Sequence, residues 1–575
     1  MDRNTADAFD LRARGAQAGE YPNGVARAMG PIDHSSLVHL LDETAEKFPG
    51  RTAITCMGRS MTYGDLVASS AAFAGFLQSL GLRKGDRLAL VLPNTLTFPV
   101  AFAGAMRAGL IIVCVNPLYT AREMEHQLRD AAATAVLILE NFAHVLQQVI
   151  GRTAVKHVVV TTIGDMMGVK GALLRSFIRH VRRAVPKFSL PGHYTFRRAI
   201  ARTLPFLPVD VSTDDIALLQ YTGGTTGRSK GAILTHGNLL SNIVQTGQWA
   251  ELAYSARGRP LQVTYICALP LYHIFSLTVN LFTSWKQGGH SVLVPNPRDI
   301  PALVKILKRR PWHFLAGLNT LFNALLQNDE FHKLDFSKVK LVMGGGTAVQ
   351  GAVAERWQAV TGTIIYQGYG LSETSPVVTA NPFNAPRFSS SVGLPLPSTQ
   401  IAIRNEFGAD VERGEPGEIY IRGPQVMQGY WRNPEETAQA FSHDGYFRSG
   451  DIGKMDKDGH LYLVDRKKDL ILVSGFNVYP NEIEEVAVSH HGVFEAAAIG
   501  VPDEKSGESV KLFVVLRESG LSMKDLSAHC AKHLTAYKRP KEIIVVESLP
   551  KSPIGKILRR ELRSAHCPLE KSHPS

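Results

Sequence analysis

Residues Ile216–Gly231 read IALLQYTGGTTGRSKG, an apolar run that passes directly into a turn rich in glycine and hydroxyl side chains. The run has the length and composition of a buried strand. Gly223, Gly224 and Gly227 let the backbone bend tightly and approach a ligand closely. Thr222, Thr225 and Thr226 add hydroxyl donors, and Lys230 adds a cation. Backbone N–H groups, hydroxyls and one lysine together suit phosphate oxygens. The segment is not a Gly-Lys-Ser/Thr P-loop, because Ser229 precedes Lys230 and Gly231 follows it.

Outward from this stretch, strand-like runs alternate with helical ones: RLALVLP from Arg87, AVLILE from Ala135, HVVVTT from His157 and VKLVMGGG from Val339. That alternation predicts an α/β fold with largely parallel sheets. From Ser391 to Val464, short strands separated by Gly, Pro, Asn and Asp predict a small β-rich unit. Beyond Asp469 the chain has strands and helices of its own. The expected organisation is a large N-terminal domain of layered α/β subdomains over 30–467, a smaller mobile α+β C-terminal domain over 468–563, and a polar tail over 564–575. The 575 residues are 45% hydrophobic and 20% charged, which excludes disordered and small disulfide-framework classes. Five scattered cysteines without a Cys-x-x-Cys pair point to a reducing, cytoplasmic setting. The N-terminus lacks an apolar signal core, and no apolar run reaches membrane-spanning length.

The net charge of +12 is unevenly spread. Met166–Phe206 carries Lys170, Arg175, Arg179, Arg182, Arg183, Lys187, Arg197, Arg198 and Arg202 and no acidic residue. From Lys170 to Pro186 the spacing predicts a helix with Leu173, Leu174, Phe177, Ile178, Val181 and Val185 on one side. Arg175, Arg179, Arg182 and Arg183 fall opposite. Such a helix suits packing on its own domain or peripheral contact with a membrane face. No nucleic-acid motif accompanies the charge.

The Tyr221–Gly231 segment resembles the phosphate-binding signature of the acyl-adenylate-forming superfamily. Further segments resemble that superfamily's motifs in order: QGYGLSE (Gln367–Glu373), RSGD (Arg448–Asp451), VDRKKD (Val464–Asp469) and LPKSPIGKILRREL (Leu549–Leu562). Within it, DRKKDLILVSGFNVYPNEIEE is most similar to bacterial enzymes that join long-chain fatty acids to coenzyme A. The resemblance implies ATP-dependent activation of a long-chain fatty acid to acyl-CoA through acyl-AMP, with Mg²⁺ as cofactor and ATP and CoA as co-substrates. It implies that Thr222 to Lys230 hold the β- and γ-phosphates of ATP and that Gly345 and Gly346 belong to the nucleotide-binding set. Tyr369 would stack on adenine, Ser372 would bond the α-phosphate and Glu373 would hold the metal. Asp451 would hold the ribose and Arg466 the nucleotide. Lys556 would bridge carboxylate and α-phosphate, and His273 would sit by the acyl carboxylate. Lys468 would be the hinge, and Ser474, Gly475, Phe476 and Asn477 would line the CoA passage. Ser372 and Ser449 stand where threonine is usual, and both keep the hydroxyl. Ile274, where amino-acid-activating relatives carry Asp, disfavours an amino-acid substrate. The expected partners are the fatty acid, ATP, CoA, an inner-membrane face reached through 170–186, and a second copy in a homodimer, with no nucleic acid. A medium-chain or aryl acid ligase, an acyl-AMP ligase and a catalytically silent scaffold stay open as alternatives.

Overall fold

The computed structural model describes residues 21–201, 204–222, 229–474, 476–503, 505–517, 520–552 and 555–566. Gly223, Gly224, Thr225, Thr226, Gly227, Gly475 and the segment after 566 therefore lie outside the described residues.

The opening stretch closes a seven-stranded sheet. Its strands run in the order Tyr194–Thr195, His157–Thr161, Ala135–Leu139, Arg87–Val91, Ile111–Cys114, Ile216–Thr222, Lys230–Thr235. The first six pair in parallel and the last is antiparallel. Ala135–Leu139 and Ile111–Cys114 are buried at every position, as parallel strands covered on both faces must be. Thr235 ends the last strand and caps the helix His236–Arg257. Its hydroxyl accepts from the Asn238 N–H, and the Asn238 side chain accepts in return from the Thr235 N–H.

A nine-stranded sheet contributes Phe314–Gly317, Leu341–Gly344 and Ile365–Gly370 at its centre. Beyond them, Val377–Ala380 and Leu394–Pro395 turn antiparallel. The expected β-rich unit is a four-stranded antiparallel sheet of Gln400–Arg404, Gly417–Arg422, Phe447–Met455 and Leu461–Arg466. A separate five-stranded sheet uses only strands after Asp469, with a core of its own that includes Ile471, Val478, Ile483 and Leu512. The α/β expectation, with one large part and one small one, therefore holds.

The basic helix differs from its expected form. It begins at Gly168, stays α-helical to Ser176, and widens into a π turn over Phe177–Val181. It ends well short of Pro186. Its apolar side is also split. Leu174, Ile178 and Val185 are half-buried, whereas Leu173, Phe177 and Val181 are exposed.

Candidate active site

The hairpin Ile216–Thr222/Lys230–Thr235 sets Thr222 directly across from Lys230, so both ends of the glycine-rich segment are pinned in register. The Lys230 ammonium pairs with Glu436 and lies 5.4 Å from the centre of the Tyr430 ring. Glu436 sits in the first turn of the helix Pro434–Ala440, which Asn433 caps by accepting the Glu436 N–H at 3.2 Å.

Tyr430 continues the chain of contacts. Its hydroxyl donates to Glu373 Oε1 at 2.9 Å, and the Thr222 hydroxyl approaches the same oxygen at 3.5 Å. Glu373 lies in the turn Ser372–Thr374 that follows strand Ile365–Gly370, and it is buried. Burial pushes its pKa up, against the opposing pull of its own backbone, Tyr430 and Arg466. Among the described residues the side-chain bonds to this buried carboxylate end on one oxygen, which leaves the other suited to a hard cation. Among the described residues no cluster of three or more His, Cys, Asp or Glu side chains could hold a metal. One carboxylate completed by ligand phosphates is nonetheless an ordinary Mg²⁺ arrangement, so the residues present fit that ion.

Asp451 and Arg466 face each other across neighbouring strands, Phe447–Met455 and Leu461–Arg466. The Arg466 Nε stands 3.1 Å from Asp451 Oδ1, and the Tyr369 hydroxyl donates to Oδ2 at 2.8 Å. Ser449, the expected threonine substitute, donates to the Ile419 carbonyl at 2.7 Å and accepts the Asp451 N–H at 3.1 Å. Its hydroxyl thus positions Asp451, a task threonine would perform equally.

Gly345 and Gly346 follow strand Leu341–Gly344. A Cβ on Gly345 would meet the Phe275 ring at 2.9 Å, and Gly346 has φ +76°. His273 starts the helical stretch that carries Phe275. Its Nδ1 accepts the Phe275 N–H at 3.3 Å. Burial, followed by the charge on Lys556, pushes the imidazole pKa down to about 4. The ring is therefore neutral near pH 7, with Nε2 left to carry the proton and donate it.

Lys556 arrives from the last part of the chain. Residues Lys551 and Ile557 bridge, Ser552 accepts the Lys556 N–H at 3.1 Å, and Thr320 donates to the Gly555 carbonyl at 3.4 Å. The lysine loop is therefore seated against the helix Asn319–Leu325 of the large part. Burial and then Arg466 push the Lys556 pKa down to about 7, with Asp451 opposing. Three residues on, Arg559 bonds Glu484 at 2.7 and 2.8 Å, Asp465 at 3.3 Å and Asn481 at 2.5 Å, and lies 3.5 Å from Asp469. Lys468 lies between Asp465 and Asp469 on an exposed turn.

Of the residues expected from sequence, Lys230, Glu373, Arg466, Asp451 and Tyr369 come into one set, with Tyr430 joining Lys230 to Glu373, and Lys556 and His273 alongside. Ser372 lies half-buried beside Glu373. Ser474 is exposed, and so are Phe476 and Asn477, on the smaller sheet. Sequence reasoning missed Tyr430, Glu436, Thr320 and Arg559. The run GYWRNPEE offered an aromatic and acids close to a helix start, but nothing in its spacing ties them to Lys230.

An apolar cavity lies within the packed cluster to which Phe275 belongs. It is lined by Trp249, Ala250, Tyr254, Val279, Phe314 and Met343 among others, and Phe275, Val279 and Met343 belong to one packed cluster. The polar atoms at its walls are turned away: Trp249 donates to the Asn381 carbonyl, and Tyr254 and Tyr265 both donate to Gln287.

A cleft of this kind, on this fold, belongs to the class of enzymes that handle adenosine phosphates. The family described as "AMP-binding enzyme" matches residues 41–431, and "AMP-binding enzyme C-terminal domain" matches residues 482–556. The chain belongs to the AMP-binding enzyme family. It is 50% identical over 547 residues to a long-chain-fatty-acid–CoA ligase of Yersinia pestis, covering 94% of this chain and 96% of the relative. It is 48% identical to the ligase of the same description from Salmonella typhimurium, covering 94% and 97%. Among solved structures it is similar to an anthranilate CoA ligase in complex with anthranoyl-AMP, with a TM-score of 0.81 and 25% identity, covering 94% of this chain and 98% of that one.

Proposed function

We propose that this protein is a long-chain-fatty-acid–CoA ligase that activates the acid with ATP through an acyl-AMP intermediate. The observation that carries the reading is the convergence of Lys230, Glu373, Asp451, Arg466 and Lys556. The cavity offers no unpaired polar wall group among those named above, so its lining has the chemistry an aliphatic chain needs, although the space must widen to take one.

In the first half-reaction the acid's carboxylate attacks the α-phosphorus of ATP, and pyrophosphate departs. The two reacting groups are both anions, so the cleft must supply positive charge and fixed orientation. Lys230, withdrawn from Glu436, bonds the outer phosphates. Asp451 accepts from the ribose hydroxyls, and Tyr369 packs against adenine. Mg²⁺ held by Glu373 and phosphate oxygens would neutralise charge on the triphosphate. His273 Nε2–H donates to the acyl carboxylate, and Lys556 spans that carboxylate and the α-phosphate. The thiol of CoA then attacks the acyl-AMP carbonyl, and AMP leaves. For this step the C-terminal domain, beginning at Lys468, turns about that residue. Lys556 moves out and Ser474–Asn477 moves in to line the thiol's approach. Peripheral contact with an inner-membrane face through 170–186 completes the reading. No helix among the described residues is long and apolar enough to cross a membrane.

The test is pyrophosphate release and thioester formation measured across straight-chain acids from hexanoate to stearate. Carboxylate-dependent release that rises toward the longer acids is expected. Release that ignores the acid, or peaks with an aryl acid, overturns the assignment.

A further inference from the structure

The helix Gly168–Val181 is held firmly against the protein on one side and bare on the other. Its inner side is set by a backbone approach so close that a Cβ on Gly171 would stand 1.9 Å from the Gly164 carbonyl oxygen. Leu174, three residues on, packs against the main core. Arg179 reaches back to Glu140, whose side chain is 1% exposed. Just past the helix, the Ala184 carbonyl accepts from Asn141 at 2.9 Å. These attachments leave the helix one orientation.

In that orientation Val169, Leu173, Phe177 and Val181 point outward, 80%, 68%, 45% and 68% exposed. They recur every fourth residue. On a pure α-helix that spacing drifts around the axis, and the π turn, with more residues per turn, brings Val181 back toward the line. A contiguous exposed stripe of large apolar side chains marks an interaction surface rather than ordinary solvated surface. Lys170, Arg182 and Arg183 are exposed beside it, and the Arg182 guanidinium lies 5.9 Å from the centre of the Phe177 ring.

We propose that this stripe inserts into an anionic lipid bilayer, with Leu173 and Phe177 at the acyl boundary and Lys170, Arg182 and Arg183 on the headgroups. The proposal rests on the peripheral-contact reading above and adds which side chains enter the lipid. Both ingredients of interfacial binding are present on one face: apolar area and matching positive charge. A second copy is disfavoured as occupant, since it would bring like charge from a segment without a single acid between Met166 and Phe206. Arg179 is spent on Glu140 and takes no part. A long-chain acid dissolves in the same bilayer, so the docked enzyme sits at the phase that holds it.

The experiment uses the full chain with vesicles of phosphatidylcholine, with and without phosphatidylglycerol. Sedimentation is followed for the wild type, for Leu173→Ser/Phe177→Ser, and for Lys170→Glu/Arg182→Glu/Arg183→Glu. Each multiple variant should lose ~tenfold or more of its partition onto anionic vesicles while keeping thioester formation from soluble acid. Phe177→Trp should shift its emission to the blue when those vesicles are added. If only the charge variant loses binding and the Trp reporter stays unshifted, insertion is wrong and an electrostatic contact remains. If neither variant loses binding, or the wild type never binds, both readings fall. If the apolar variant instead abolishes self-association and binds vesicles normally, the occupant is a second copy and the proposal is overturned.

Discussion

Replacing Lys556 tests the chemistry most directly. In the folded cleft its pKa falls from an ordinary 10.5 to about 7. Each tenfold change in proton affinity is ~1.4 kcal/mol, so the empty cleft disfavours the ammonium by on the order of 5 kcal/mol. A carboxylate and a phosphate arriving beside it remove that penalty and favour the charged form. The same electrostatic energy, applied where charge crowds in the transition state, is worth at most roughly three to four orders of magnitude in rate. Lys556→Met should therefore lose roughly a thousandfold in acid-dependent ATP–pyrophosphate exchange. Thioester formation from supplied acyl-AMP should be nearly unchanged. The pH profile carries a second signature. In wild type, kcat/KM for ATP should fall above about pH 7 as the unliganded cleft loses the ammonium. The fall in kcat should come at higher pH, because the bound anions raise the same pKa. Stability carries a third. The folded pKa lies below the unfolded one, so the penalty is fully present below about 7 and is gone above 10.5. Lys556→Met should thus be more resistant to denaturant than wild type at pH 6, with the margin shrinking as pH rises through that window. Equal losses in both half-reactions, or a margin indifferent to pH, would refute the reasoning.

Asp451→Asn removes the charge that Arg466 and the Tyr369 hydroxyl both hold. A hydrogen bond to a charged group is worth ~1.5–3 kcal/mol, so KM for ATP should rise roughly ten- to a hundredfold. The variant should also cease to distinguish ATP from 2′-deoxy-ATP, and a variant that still distinguishes them removes Asp451 from the ribose. Ala250→Phe, on the cavity wall, should depress thioester formation from palmitate and stearate far more than from octanoate. An even loss across chain lengths would place the acyl chain elsewhere.

Much of the cleft could be read from sequence because its parts are short motifs whose chemistry is local. Thr222 and Lys230 pair across neighbouring strands, and the glycine spacing between them reads directly from sequence. Asp451 and Arg466 each carried a motif, although only the strand register shows them face to face. The apolar cavity could not be read, because its lining comes from positions between Thr246 and Leu396 on helices and strands of unrelated period. Nor could the partners of Lys230 and Glu373, since Glu436 and Tyr430 reach them only through tertiary folding. The basic helix shows the limit most clearly. A helical wheel grouped Leu173 with Leu174 and Phe177 with Ile178. The contact of Gly171 on Gly164, invisible in the pattern, decides which of each pair is covered.

The knot around Arg559 has a mechanical meaning. Asp465 lies before Lys468, whereas Asp469, Asn481 and Glu484 lie after it, and one guanidinium grips both sides. Three peptide units upstream is Lys556, the lysine proposed to span the carboxylate and the α-phosphate. Under the proposed rotation about Lys468, the small lobe breaks the Arg559 contact with Asp465 and carries those with Asp469, Asn481 and Glu484 along with it.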